Sequence, residues 1–254
     1  MTGANAFNNL QVNRMAGSGA VSLRSSVTAN GVFTMPATNV AALIFAGGSS
    51  LTLTVTGATT LSGGSLTMDT SGASQDLLDC NGGLTFGGAF ALGASITGGE
   101  IQVAGAWDDT TPPGLIDPPG GTVRLDPAPV TPTTYAIRTK GAPLTRFYHL
   151  VLAGNSDALF TPVNSVFNTK VDGDFTLSGG TFSFDDTVTP AGFGSIAVLG
   201  NFLQTGGTIA TNLVAGGGSG VGLTIDGNFT ASGGTFDNAN SIDTNVTFIK
   251  VKGN

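Results

Sequence analysis

The sequence is poor in the residues that most protein chemistry needs. In 254 residues it has one Cys, one His, one Trp and one Glu. His149 and Cys80 cannot assemble a Cys- or His-rich zinc site, and one Cys closes no intramolecular disulfide. Four Lys, four Gln and the lone Glu100 are too few good helix formers for a mainly helical protein. The nine basic residues form no run, which argues against nucleic acid as a partner. The longest apolar stretch, Val40 to Ala46, is far too short to cross a bilayer, so the chain reads as not transmembrane. The opening MTGANA has neither a charged n-region nor an apolar h-region. Either a signal was removed or the chain is an excised segment.

What is present is turn and strand material. The chain holds 40 Gly, 35 Thr, 19 Ser and 17 Asn. Its hydrophobic content of 40% includes 16 Phe, enough to build a buried core rather than a disordered chain. The net charge is −7.

The main signal is internal repetition, the mark of stacked architectures. Residues 171–182 read VDGDFTLSGGTF, 198–209 read VLGNFLQTGGTI and 225–236 read IDGNFTASGGTF, a gapless spacing of 27. Phe175, Phe202 and Phe229 are equivalent in this alignment, as are Gly173, Gly200 and Gly227. The first half carries the same pattern: 55–66 read VTGATTLSGGSL, and its TLSGG is identical to 176–180. Weaker copies are NGVFTM at 30–35, FGGAFAL at 86–92 and VAGAW at 103–107. Above this lies a period of about 140 residues, since FNNLQV at 7–12 resembles FYHLVL at 147–152. Eight of the eleven prolines fall within 108–143, and proline cannot donate to a central ladder. The expected organisation is a first β-solenoid module at 1–107, a Pro-rich junction with protruding loops at 108–143, and a second module at 144–254. TVRL inside the junction reads as strand.

Within each repeat, short runs alternate apolar and polar residues, as half-buried strands do, and Gly-Gly and Asn-Gly punctuate them as turns. The spacing predicts an all-β parallel β-helix, or β-solenoid, of about 27-residue coils, with equivalent residues stacked one strand spacing apart. Phe175, Phe202 and Phe229 are the predicted core stack. The glycines are expected to supply positive-φ corners where a Cβ would strike the next coil. The competing fold is a row of tandem small β-sandwiches. The units VDGDFTLSGGTF and IDGNFTASGGTF, with the FYHLVL opening, resemble repeats of bacterial secreted or cell-surface Gly-rich β-solenoid proteins of the autotransporter and filamentous-adhesin passenger kind. That resemblance spans most of the chain at the level of repeat and composition. It implies an extracellular or cell-surface structural or adhesive role and brings no catalytic residue with it.

Candidate chemistry is thin. Asp108-Asp109 and Asp185-Asp186 are carboxylate pairs of the sort that cleave glycosides or hold Ca²⁺. Adjacent strand residues face opposite sides, however, so solvated turns are the simpler reading. Asp172, Asp174, Asp226 and Asp237 fall at corners or outward positions, without the nonapeptide calcium signature. Arg14, Arg24, Arg124, Arg138 and Arg146 are scattered, which gives a lyase no basic centre. His149 stands where the other module has Asn9, and reads as a capping or surface residue. Thr52, Thr54 and Thr56 alternate along one strand but are not repeated every 27 residues. Asn228-Phe-Thr230 and Asn245-Val-Thr247 are glycosylation sequons in form only. Cys80 reads as a small buried residue.

The expectation is therefore a protein that is not an enzyme, with no cofactor and no metal. It would be a structural subunit forming a filament or surface layer by head-to-tail contact, or a segment of a longer tandem array. Solenoids normally cap their ends with polar repeats, whereas here Phe7, Leu10 and Val12 begin almost at once and Val246, Phe248, Ile249 and Val251 run nearly to the last residue. These seven are the candidate assembly interface. The alternatives are an adhesin or glycan-binding module with a surface glycan as partner, and a β-helix polysaccharide-active enzyme or phage-type spike.

Overall fold

The computed structural model describes residues 5–14, 16–17, 19–46, 50–68, 75–88, 90, 92, 96–109, 116–126, 134–138, 146–154, 159–163, 169–183, 196–210, 222–237 and 248–254. The chain forms two compact units, Met1–Arg124 and Leu125–Asn254. The division falls inside the proline-rich stretch. All strand pairs described are parallel, and the fold is a β-solenoid with no helix among the described residues.

Each coil has three short strands. A leading strand runs to a tight corner, a middle strand follows, and a second turn carries the chain into a trailing strand. In the first unit the leading strands are Asn5–Phe7, Val27–Ala29, Thr52–Val55, Leu77–Cys80 and Glu100–Val103. The middle strands are Leu10–Gln11, Phe33–Met35, Thr59–Leu61, Leu84–Phe86 and Trp107–Asp108. Ala20–Leu23, Ala42–Phe45 and Ser65–Thr67 trail, and the bridges Met68↔Ile96 and Leu92↔Ile116 carry the third wall further. In the second unit the leading strands are Arg146–Phe147, Thr169–Val171, Ile196–Val198, Gly222–Ile225 and Phe248–Val251. His149–Leu152, Phe175–Leu177, Phe202–Gln204 and Phe229–Ala231 are its middle strands. The trailing wall comprises Thr134–Arg138, Leu159–Val163, Thr181–Ser183, Thr208–Ala210 and Thr235–Asp237.

The alternation read from the sequence decides which side chains fill the interior. In Val27–Ala29, Phe33–Met35, Phe175–Leu177 and Ile196–Val198 the outer two residues are buried and the central one is half-buried. Parallel register then places like on like: Phe175 pairs Phe202, Phe202 pairs Phe229, and Phe182 pairs Ile209 and through it Phe236. Each fully buried Phe contributes about 1.5–3 kcal/mol relative to exposure. In each unit TLSGG ends one strand and makes the turn into the next, though between different pairs of sheets.

The glycines divide into two kinds. The second residue of the Gly-Gly turn has positive φ, at Gly64 (77°), Gly180 (69°), Gly207 (67°) and Gly234 (87°), which favours glycine sterically. The corner glycines 31, 57, 173, 200 and 227 do not share that conformation. They are glycine because the preceding coil lies too close: Gly200 donates to the Gly173 carbonyl at 3.0 Å, and a Cβ there would stand 2.6 Å from that carbonyl carbon. Close approach of the neighbouring coil thus accounts for the corners and for the first glycine of each Gly-Gly turn, and positive φ adds to it at the second.

Candidate assembly surfaces

The predicted core stack is a physical column. Phe175 and Phe202 are fully buried with ring centroids 4.7 Å apart and edge to face, and the Phe202–Phe229 rings are stacked at 5.3 Å. Phe182 adds an edge contact to Phe175 at 5.5 Å. In the first unit the equivalent filling is irregular, with Trp107 against Phe86 at 4.8 Å and Phe90 on the other side of Phe86 at 5.6 Å.

A second column runs up the corner of the second unit and was not foreseen from the sequence. The residue after each corner glycine accepts a hydrogen bond from the backbone N–H of its counterpart one coil on. His149 Nδ1 accepts from Asp174 N–H at 2.9 Å, Asp174 Oδ1 from Asn201 N–H at 2.8 Å, Asn201 Oδ1 from Asn228 N–H at 3.0 Å, and Asn228 Oδ1 from Asn254 N–H at 2.9 Å. His149 therefore takes the tautomer whose Nδ1 is unprotonated. In the first unit the FNNL corner supplies the corresponding rung, where Asn9 Oδ1 accepts from Val32 N–H at 3.0 Å. FNNL and FYHL thus each open a rung of the same kind, at corners that join different pairs of sheets. Recurrence of Asp or Asn after Gly at a spacing of 27 was the available signal.

The carboxylates that suggested chemistry are spread out and engaged. Asp109 is buried and accepts from Trp107 Nε1 at 3.5 Å, whereas Asp108 lies in the strand between them and is half-buried. Asp172 pairs with Arg146 at 2.7 Å, Asp226 with Lys252 at 2.6 Å, and Glu100 with Arg124 at 2.9 Å. Among the described residues no three His, Cys, Asp or Glu side chains group to hold a metal ion. Asp185, Asp186, Asn245 and Thr247 lie outside the described residues. Thr54 is flanked by Thr28 and Asp79, and Thr52 by Leu77, so the Thr run of that strand does not extend into a rank. Cys80 is fully buried, and that burial pushes its thiol pKa up to about 12, with the Thr59 side chain opposing the rise and the Asp79 charge adding to it. It is no nucleophile at neutral pH.

Sequence reasoning also missed the buried polar residues that pin the first unit. Asn39 Oδ1 accepts from Arg14 N–H at 2.9 Å and Ala41 N–H at 3.2 Å, while its Nδ2 donates to the Ala41 carbonyl at 3.1 Å. Asp76 Oδ1 accepts from Leu51 N–H at 3.0 Å.

Among the described residues, interior apolar positions open to solvent at the first and last coils. Phe7 points inward over Ala29 and is 47% exposed, and Val21 over Leu43 is 40% exposed. Leu10 is half-buried. Val12 is already covered at 4% exposure, so it does not belong to the open surface that the sequence assigned it to. At the last coil Phe236 is 51% and Val251 38% exposed, Ile249 and Phe229 are half-buried, and Ala231 is exposed. Around Ala231 these residues and Gln204 line a hollow of about 380 Å³. The backbone of Phe248 belongs to the last leading strand, its side chain is outside the described set, and Val246 lies outside the described residues.

No protein-family model matches the chain, and neither a curated protein nor a solved structure does.

Proposed function

We propose that the chain is a non-enzymatic structural protein that builds an extracellular filament or surface layer by head-to-tail stacking of β-solenoid subunits. One observation carries the reading: the inward columns that are buried in internal coils end at both edges in exposed apolar side chains, Phe7 and Val21 at one and Phe236 and Val251 at the other. Such edges also offer unpaired backbone donors and acceptors, which natural β proteins otherwise cap or charge. A head-to-tail contact repeats without closing and so makes a filament. The same surfaces would serve neighbouring modules of a covalent tandem array. The extracellular or cell-surface location rests on the resemblance to passenger repeats. An adhesin or a polysaccharide-active enzyme remains the competing class, and each would need a flat recognition face or an acidic groove.

Electron microscopy and sedimentation of the purified chain at neutral pH test this reading. Fibres or sheets that lengthen with concentration are expected, and Phe236→Asp should abolish them while leaving the far-UV circular dichroism unchanged. A chain that stays monomeric at every concentration, or that cleaves or binds polysaccharide as a monomer, overturns it.

A further inference from the structure

The two edges match strand for strand. We infer that the partner of the last coil is the first coil of a second copy, seated in one register: Asn5–Phe7 on Phe229–Ala231, Leu10–Gln11 on Thr235–Asp237 and Ala20–Leu23 on Phe248–Val251. This rests on the assembly reading above and specifies its contact. The winding dictates the order. After the leading strand Phe248–Val251 the next strand of the spiral falls on Phe229–Ala231, and the first strand of a following copy is Asn5–Phe7. Strand lengths then agree, three residues on three and four on four, with two on three between them.

The inward parity agrees as well. Asn5 and Phe7 share the inward parity of Val27 and Ala29, Leu10 that of Phe33, and Val21 and Leu23 that of Leu43 and Phe45. On the other edge Phe229 and Ala231 continue the column of Phe202 and Gln204, Phe236 that of Ile209, and Ile249 and Val251 that of Leu223 and Ile225. Leu10 would meet Phe236, Val21 would meet Ile249, and Leu23 would meet Val251. Phe7 would meet Ala231, a small residue lining the hollow, just as Phe7 already pairs with Ala29 within its own chain. A slip of one residue would turn every one of these side chains to the wrong face.

Charge is mixed across the contact. Asp237 would lie beside Gln11, three residues before Arg14, while Lys252 would lie beside Arg24 and keep Asp226 as its own partner at 2.6 Å. Strand order and inward parity, not charge, therefore choose the register.

Paired single-cysteine variants of the full chain test the register, because the native thiol Cys80 is buried. Neighbouring parallel strands are spaced at about 4.8 Å, within disulfide reach. An equimolar mixture of Phe7→Cys and Ala231→Cys, oxidised under assembly conditions, should give a disulfide dimer at least tenfold more abundant than Phe7→Cys with Phe229→Cys or Phe7→Cys alone. Leu10→Cys with Phe236→Cys is the second pair should the first fold poorly by circular dichroism. Fibres with crosslinks at the slipped or head-to-head positions overturn the register and leave the assembly reading standing. Absence of both fibres and crosslinks, with folded variants, overturns both.

Discussion

The two units solve one packing problem with different degrees of regularity. In the second, the last three middle strands pair residues 27 apart, Phe175 to Phe202 to Phe229, after a first step of 25 from Leu150 to Phe175, and a side-chain ladder climbs the corner from His149 to Asn254. In the first, Val27 pairs Leu53 at 26 residues, Leu53 pairs Leu78 at 25 and Leu78 pairs Ile101 at 23. The position after its corner holds Val32, Ala58, Gly83 and Ala106. Yet the backbone at that corner bonds alike in both: Phe202 N–H donates to the Asn228 carbonyl at 2.8 Å, and Thr59 N–H to the Gly83 carbonyl at 2.9 Å. The coil is held by backbone ladders, glycine clearance and inward apolar columns. The polar ladder is added to a turn that forms without it.

The sharpest test of that distinction is the glycine clearance, shared by both units. Gly200→Ala should cost about 3 kcal/mol in denaturant unfolding, because the new Cβ would stand 2.6 Å from the backbone carbonyl carbon of Gly173 and 2.7 Å from Asp174 Oδ1, the acceptor of the ladder. Gly57→Ala, at 3.0 Å from the Gly31 carbonyl carbon, should cost less. Equal costs, or none, would mean that the corners relax freely. The ladder comes next. Asn201→Ala should lose about 1 kcal/mol, since Asn228 N–H loses its side-chain acceptor, and Ala58→Asn should gain a similar or smaller amount by offering one to Gly83. If Asn201→Ala is neutral, the ladder is decoration. The smallest effect belongs to Cys80. Its pKa is raised from 9.0 to about 12 in the fold, so the thiol's contribution is complete below pH 9 and declines as pH rises toward 12. At pH 9.5 the loss should be under about 1 kcal/mol, and Cys80→Ala should remove that alkaline slope.

This contrast also explains what the sequence revealed. Repeats are found where side chains recur, so the second unit was legible down to its register, Phe175 on Phe202 on Phe229. The first unit was legible where its residues happened to echo the second, most clearly at Thr60–Gly64 and Phe7–Leu10 and more weakly at 30–35, 86–92 and 103–107. Its coils of 26, 25 and 23 residues defeat a gapless comparison although the backbone stacks equally well. The candidate edges were legible because uncapped apolar strands are a sequence feature, but Val12 was misassigned since its cover comes from coil packing that the pattern does not encode. Asn39 and Asp76 look like ordinary turn residues, and only the fold buries them.

The corner ladder finally constrains how such a gene can change length. The rungs of the second unit span 25, 27, 27 and 26 residues, so duplication or deletion of one whole coil leaves each acceptor facing an equivalent N–H, and a residue gained or lost elsewhere in a coil is absorbed between the corners. What the ladder fixes is the corner itself: a residue inserted between a corner glycine and the Asp or Asn that follows it would break the rung.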